Sequence, residues 1–350
     1  MTLRVRSPGL AVVLTACLAS AALAQVDTRA PLDVARVLAS RYPETPTMSY
    51  ISGLAWGGAL RLGAVTAEPR WVEKPRREMQ PFVDGERPAI AEPYSLTSLA
   101  GHIGFFDWGV YDRNAPGLAL ALDAADFIVS EHPDTIVRFG RGWTDDMFMA
   151  SALLSRVGAF TEEPEFADVV SRMLTTYTDR LQREDGLYIH AADGAHAWGR
   201  GNGFAALGLT EALTYMEESL AARDEILAAY RRLMEALVPL QTEDGSWRNV
   251  LDQPTAYPEL TVTALMVTAM ARGVRLEWLG RERFMPVIER AWQAVLARVS
   301  ADGTLRDVCT STGAQPTLEY YMTRPVVNGA DDRGGAIVLM AALEMALLQN

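Results

Sequence analysis

Three short stretches hold the residues that could do chemistry: WTDDMFM from Trp143, DGLYIH ending at His190, and WGRGNGF from Trp198 to Phe204. Each brings an aromatic ring close to charged or titratable groups at the entrance to an apolar segment. A flat indole next to a guanidinium fork suits a sugar ring that carries a carboxylate. The chemistry these residues suggest is a carboxyl group acting on an anionic sugar.

Asp145 and Asp146 follow Trp143-Thr144. A helix start would use Thr144 or Asp145 as a cap, because free backbone N–H groups and the helix dipole favour an acceptor there. In the chemical reading Asp145 gives a proton and then takes one back, while the neighbouring Asp146 opposes double ionisation and helps keep a proton in place. Arg200 at a helix start opposes the dipole, a cost that binding an anion would offset. Gly199, Gly201 and Gly203 mark places where backbone comes close to a ligand or another helix. Trp143, Trp198, Phe204 and Trp247 offer aromatic surface, although Phe204 on its apolar helix reads first as core. Glu259 before LTVTALM and Asp331-Asp332 before RGGAIVLM read as helix starts.

Other chemistries lack their residues. The four histidines, His102, His132, His190 and His196, offer no tight metal-ligand spacing, so no metal or cofactor is expected. Lys74 is the only lysine, which argues against Schiff-base catalysis and lysine phosphate loops. A net charge of −12 argues against nucleic acid. It does not forbid a small anion, because one local arginine outweighs a diffuse field that salt screens.

Residues 1–24 read as a secretion signal: Arg4 and Arg6, an apolar run from Gly9 to Ala21, and an Ala22-Leu23-Ala24 cleavage site. Export to the periplasm is the expectation, with lipid anchoring through Cys17 the lesser alternative. Without Cys17 only Cys309 remains, so no intrachain disulfide can form and the core must hold the fold. Residues 25–350 then form a single catalytic domain, as a monomer or a weak homo-oligomer.

Those chemical residues need a frame. Segments 32–42, 48–63, 95–112, 115–131, 145–158, 163–183, 200–218, 222–241, 259–273, 280–299 and 335–349 read as helices. In 163–183, Phe166, Val169, Val170, Met173, Leu174, Tyr177 and Leu181 keep the three-and-four spacing of an amphipathic helix. By contrast FAALGLTEALT at 204–214 and GAIVLMAALEMALL at 335–348 are apolar almost all round, as helices surrounded by protein are. Buried and amphipathic helices alternate with the period of a helical-hairpin array. Closed into a ring, the array is an all-α six-hairpin (α/α)6 barrel, which needs one helix more than these eleven. The proline-rich stretch 67–93 reads as a long loop. Short alternating pieces near 246–251 and 304–309 read as ornaments. With parallel inner helices, Thr97, Asp145, Asp146, His190, Arg200, Glu259 and Asp331 to Arg333 all gather at one mouth, where helix amino ends favour a carboxylate.

At these motifs the sequence resembles glycoside hydrolase family 105, the unsaturated rhamnogalacturonyl hydrolases, related to the family 88 unsaturated glucuronyl hydrolases. The resemblance covers roughly 95–349. It rests on W-x-D-D-M-F-M at 143–149, D-G-L-Y-x-H at 185–190, W-x-R-G-N-G at 198–203, D-G-S-W at 244–247, and Glu259 with Thr261 and Thr263-Ala264. It implies a six-hairpin barrel, a catalytic aspartate at Asp145, and a substrate pocket in which His190 and Arg200 hold a uronate carboxylate. The implied reaction hydrates the C4–C5 double bond of an unsaturated uronic acid at the end of an acidic oligosaccharide. Three positions depart from the family pattern: Thr97 where many members have an aspartate, Phe204 at the closing aromatic, and Arg333 in place of the histidine of D-x-H-G. Another barrel hydrolase or polysaccharide lyase, and a non-catalytic binder of acidic sugars, remain alternatives.

Overall fold

The computed structural model describes residues 27–130, 136–217 and 220–349. The expected leader with Cys17 lies outside these residues, as does His132. The helices in chain order are α1 (Pro31–Arg41), α2 (Tyr50–Thr66), α3 (Arg70–Val83), the single turn α4 (Leu96–Leu99), α5 (Ile103–Asp112), α6 (Ala115–Val129), α7 (Thr144–Thr161), α8 (Pro164–Leu181), α9 (Gly199–Tyr215), α10 (Arg223–Leu237), α11 (Leu260–Arg275), α12 (Arg281–Leu296), the short α13 (Leu318–Met322) and α14 (Asp332–Gln349).

Helices α2, α5, α7, α9, α11 and α14 pack side by side in that order, and α14 returns to α2. Most of their residues are buried, on every side in α9, α11 and α14, which is why their sequences lack a polar face. An outer helix covers each: α3 on α2, α6 on α5, α8 on α7, α10 on α9, α12 on α11, and α1 on α14. The outer helices bury one stripe only, as α8 does with Phe166, Val169, Val170, Met173, Leu174, Tyr177 and Leu181. The architecture is the six-hairpin α/α barrel that the patterning predicts. Among the described residues no helix is long and apolar enough to cross a membrane.

The twelfth helix of the ring, α3, occupies the stretch read from sequence as a loop. Pro75 and Pro81 lie inside it, yet Val72, Pro75, Met79 and Phe82 form a buried stripe at three- and four-residue spacing. An interior proline costs ~3 kcal/mol or more. Burying each large apolar side chain contributes ~1.5–3 kcal/mol, enough to offset that cost. Only 84–95 remains irregular there.

The inner helices run parallel. At their amino ends, the Tyr50 ring of α2 meets Phe148 of α7 and Phe204 of α9, and its hydroxyl accepts a hydrogen bond from Arg333 of α14. At their carboxyl ends an ionic chain visits all six: Arg61 to Glu344, Glu344 to Arg272, Arg272 to Glu211, Glu211 to Arg156, and Arg156 to Asp107. Burial alone would raise the Glu344 carboxyl, but the charges of Arg272, Arg61 and Arg275 outweigh it and hold the group at about 2.

Two short antiparallel ribbons sit among the connections. The strand β1 (Trp247–Arg248) pairs with β2 (Pro258–Glu259), and β3 (Leu305–Cys309) pairs with β4 (Val326–Gly329). The sequence marks the first strand of each ribbon and misses the second. Cys309, at the end of β3, is a buried free thiol.

Candidate active site

The amino end of α7 separates its two acids by function. Trp143 is the N-cap residue, and Asp146, three positions on, bends its carboxylate back over the preceding turn. Asp146 Oδ2 accepts the backbone N–H groups of Arg141 at 2.6 Å, Gly142 at 2.8 Å and Trp143 at 3.1 Å, and the Tyr177 hydroxyl at 3.1 Å. This is capping from the third helical position, so the cap is Asp146 rather than Thr144 or Asp145. Burial pushes its carboxyl up to about 6 against the lowering effect of these donors. Asp145 is thereby free to turn the other way. Its side chain is 22% exposed, and its Oδ2 lies 3.0 Å from His190 Nε2.

His190 is placed by a loop stapled to both α7 and α9. Its carbonyl accepts Thr144 N–H at 3.0 Å. Asn202, on the first turn of α9, accepts Tyr188 N–H at 2.7 Å and donates to the carbonyls of Tyr188 and Trp198. The imidazole is fully buried, with Nδ1 2.9 Å from the Tyr321 hydroxyl of α13. An ionised carboxylate can only accept, so Nε2 faces Asp145 as a donor and Nδ1 accepts from the Tyr321 hydroxyl, whose oxygen also takes Gln315 N–H at 3.1 Å. That pattern assigns the imidazole proton to Nε2, which donates to Asp145. Tyr321, His190 and Asp145 thus form one hydrogen-bonded chain. The rings of Trp143 and Trp198 close on the imidazole at 5.3 Å and 4.6 Å between centroids.

Arg200 is buried beneath this group, only 2% exposed, with its guanidinium 4.9 Å from the centre of the Trp198 ring. Its fork is spent on main chain: Nη1 donates to Cys309 O at 2.7 Å and Nη2 to Thr310 O at 2.6 Å. Glu259 caps α11, accepting from Thr261 N–H and Val262 N–H, and also takes Cys309 N–H at 2.9 Å. Arginine and glutamate together therefore fix the end of β3 over the mouth. The glycines of 199–203 serve close packing between elements: a methyl group at Gly201 would lie 2.7 Å from Thr144 Oγ1, and one at Gly199 2.6 Å from Arg248 O.

The structure brings Trp143, Asp145, His190, Trp198 and Arg200 into one cluster, with Glu259 one hydrogen-bonded residue behind it. Asp146 faces the 141–143 turn instead. Phe204 is core, stacked on Phe148 at 5.8 Å. Thr97 is exposed on α4, a turn that packs against α7. Three residues that sequence reasoning did not single out help build the site: Tyr321, Asn202 and Tyr50. Asn202 lay in view inside WGRGNG, where a polar amide on an apolar helix was the available signal. Among the described residues no cluster of three His, Cys, Asp or Glu side chains could hold a metal ion.

The family model described as Glycosyl Hydrolase Family 88 matches residues 24–349. The unsaturated rhamnogalacturonyl hydrolase YesR of Bacillus subtilis is 27% identical over 233 residues, 59% of this chain and 64% of that protein. An unsaturated 3S-rhamnoglycuronyl hydrolase of an Alteromonas species is 26% identical over 219 residues, 59% of this chain and 51% of the relative. The matched stretch thus spans less than two thirds of either relative. Among solved structures, a possible member of the GH105 family from Salmonella enterica superposes with a TM-score of 0.80 at 18% identity, covering 92% of this chain and 95% of that one. The unsaturated glucuronyl hydrolase of Bacillus sp. GL1 superposes with a TM-score of 0.68 at 14% identity, covering 90% and 94%. Both likenesses establish the fold.

Proposed function

Since this chain belongs to Glycosyl Hydrolase Family 88, we propose that it releases a 4,5-unsaturated uronic acid, galacturonyl or glucuronyl, from the non-reducing end of lyase-generated oligosaccharides. The observation that carries this reading is the partly exposed carboxyl of Asp145, held at one oxygen by a buried histidine at a mouth lined with aromatic rings. A carboxyl fixed in this way can give and recover a proton without moving.

The reaction is hydration of a vinyl ether. Asp145 gives its proton to C4, and positive charge develops at C5, shared with the ring oxygen. A water oxygen bonds to C5 and returns its extra proton to the Asp145 carboxylate. The resulting hemiketal opens to a ketone at C5. The exposed hemiacetal at C1 then collapses to an aldehyde and frees the hydroxyl of the next sugar. His190, donating to Asp145 Oδ2, leaves Oδ1 as the atom that exchanges the proton. Arg200 adds a fixed positive charge beneath the site, which suits an anionic substrate.

The test follows loss of alkene ultraviolet absorbance when the protein meets unsaturated disaccharides from several acidic polysaccharides. Turnover that disappears in Asp145→Asn supports the assignment. Absorbance that rises on intact polysaccharide would instead indicate a lyase, and binding without turnover a sugar-binding protein. The same reading has the enzyme exported to the periplasm after cleavage behind Ala24. Fractionation of expressing cells and the amino-terminal residue of the exported protein, expected to be Gln25, test that part.

A further inference from the structure

An anionic substrate needs a donor that can reach it, and the two groups at the centre of the site are already engaged. His190 is fully buried with both ring nitrogens in contact, and both terminal nitrogens of Arg200 donate to main-chain carbonyls. Arg333, in the first turn of α14, is different. It is half-buried, and its Nη1 lies 3.4 Å from Cys309 O, the carbonyl that also accepts from Arg200 Nη1 at 2.7 Å. Its Nε donates to the Tyr50 hydroxyl at 3.1 Å and its Nη2 to Ser311 Oγ at 2.9 Å.

Two guanidinium groups therefore converge on one oxygen, and among the described residues neither forms a direct ion pair, although Glu259 and Asp145 act on Arg200 through space. Like charges at that separation repel, and an anion seated beside them relieves the repulsion. The partners of Arg333 are two hydroxyls and one long carbonyl contact, which a bidentate carboxylate can replace. Its position also fits. Tyr50, whose hydroxyl accepts from Arg333 Nε, packs its ring on Phe148 and Phe204, and the loop holding Ser311 runs on to Gly313, which lies against the Trp143 ring. Trp143 borders the Asp145–His190 pair.

We propose that Arg333 is the residue that receives the substrate's carboxylate, with Arg200 a fixed charge behind it. This rests on the hydrolase reading above and adds the residue that sets its preference for acidic sugars. A purely structural Arg333, bracing the 309–311 loop, would affect all substrates alike.

The experiment compares an unsaturated uronyl disaccharide with its C6 methyl ester on wild type, Arg333→Met and Arg333→Lys, with thermal melts to confirm folding. The wild type should prefer the acid by about tenfold or more in kcat/KM, as expected for a charge-assisted pair. Arg333→Met should raise KM about tenfold for the acid, leave the ester unchanged and abolish the preference, and Arg333→Lys should restore part of it. An Arg333→Met protein that keeps the wild-type preference overturns the proposal, whatever its absolute rate. So does a wild type that does not distinguish acid from ester. If the wild type turns over neither, the hydrolase reading fails. Calorimetric binding of the same pair then decides on Arg333: weakened affinity of Arg333→Met for the acid alone supports it, and equal affinity for the acid in both proteins overturns it.

Discussion

Asp145 and Asp146 are consecutive, yet their carboxylates point to opposite sides of the same helix end, one to His190 Nε2 and the other to the backbone N–H groups of 141–143. Successive residues on a helix are turned by about 100° from each other, so these two carboxylates reach different partners. One shapes the entrance and the other faces it.

That division can be separated by mutation. Asp145→Asn should reduce turnover about 10³-fold, within the range for a lost proton-transfer group. It should leave stability within about 1 kcal/mol, as for a partly exposed site. Asp146→Ala should do the reverse, costing about 1–3 kcal/mol for the Tyr177 hydroxyl left buried and unmet, and about 1 kcal/mol for the lost cap. Urea denaturation beside progress curves reads both effects. Equal stability loss in the two variants would contradict the division.

The raised Asp146 carboxyl gives stability a definite slope with pH. Its value moves from 3.8 to about 6 on folding, chiefly through burial. Between those values the native state binds more protons than the unfolded chain, so this contribution is full below 3.8 and lost as pH rises through about 6. Asp146→Asn carries no titrating proton, and its urea midpoint should lack that decline between pH 4 and pH 7. A decline of the same size in both proteins would assign it to another group.

Tyr321 acts on Asp145 only through His190. Tyr321→Phe removes the proton directed to His190 Nδ1 and frees the imidazole to take its other tautomer. The expected result is a fall of about tenfold in kcat with little change in KM, since positioning groups of this kind commonly contribute on that order. Unchanged kcat would show that the tautomer is held by Asp145 alone.

At the other end of the barrel, Arg272 bridges Glu211 and Glu344, both buried. Arg272→Met leaves two carboxylates short of a partner and should cost about 3–5 kcal/mol. Because Arg272, Glu211 and Glu344 are shielded from solvent, added salt should not reproduce the loss. The folded fraction should retain wild-type kcat, which activity at low temperature would reveal.

Much of this frame was legible in the residues. Helices such as α8 announce a single buried stripe, and α9 and α14 announce burial all round, so two kinds of helix in alternation already imply a closed ring. Two things were hidden. Prolines masked α3, because local propensity cannot report the core that Val72, Met79 and Phe82 find. Spacing also could not show where side-chain donors are spent. Arg200 reads as a ligand-facing fork, and only the folded chain reveals that carbonyls of residues far along the sequence occupy it. Tyr321 sits on a five-residue helix within a long connection, too short to carry a periodic signal.

The seam between α1 and α14 has a bearing on how such a molecule can fail. A linear stack of hairpins can shed an end unit and leave the remainder standing, since each unit leans only on its neighbours. A closed circuit has no end unit to shed. Taking away any one hairpin strips two flanks at once, and the amino ends of α2, α7, α9, α11 and α14 lose their common focus. Partial chains of this protein should therefore be inert as well as sticky, and appearance of activity during refolding should coincide with docking of the final helix.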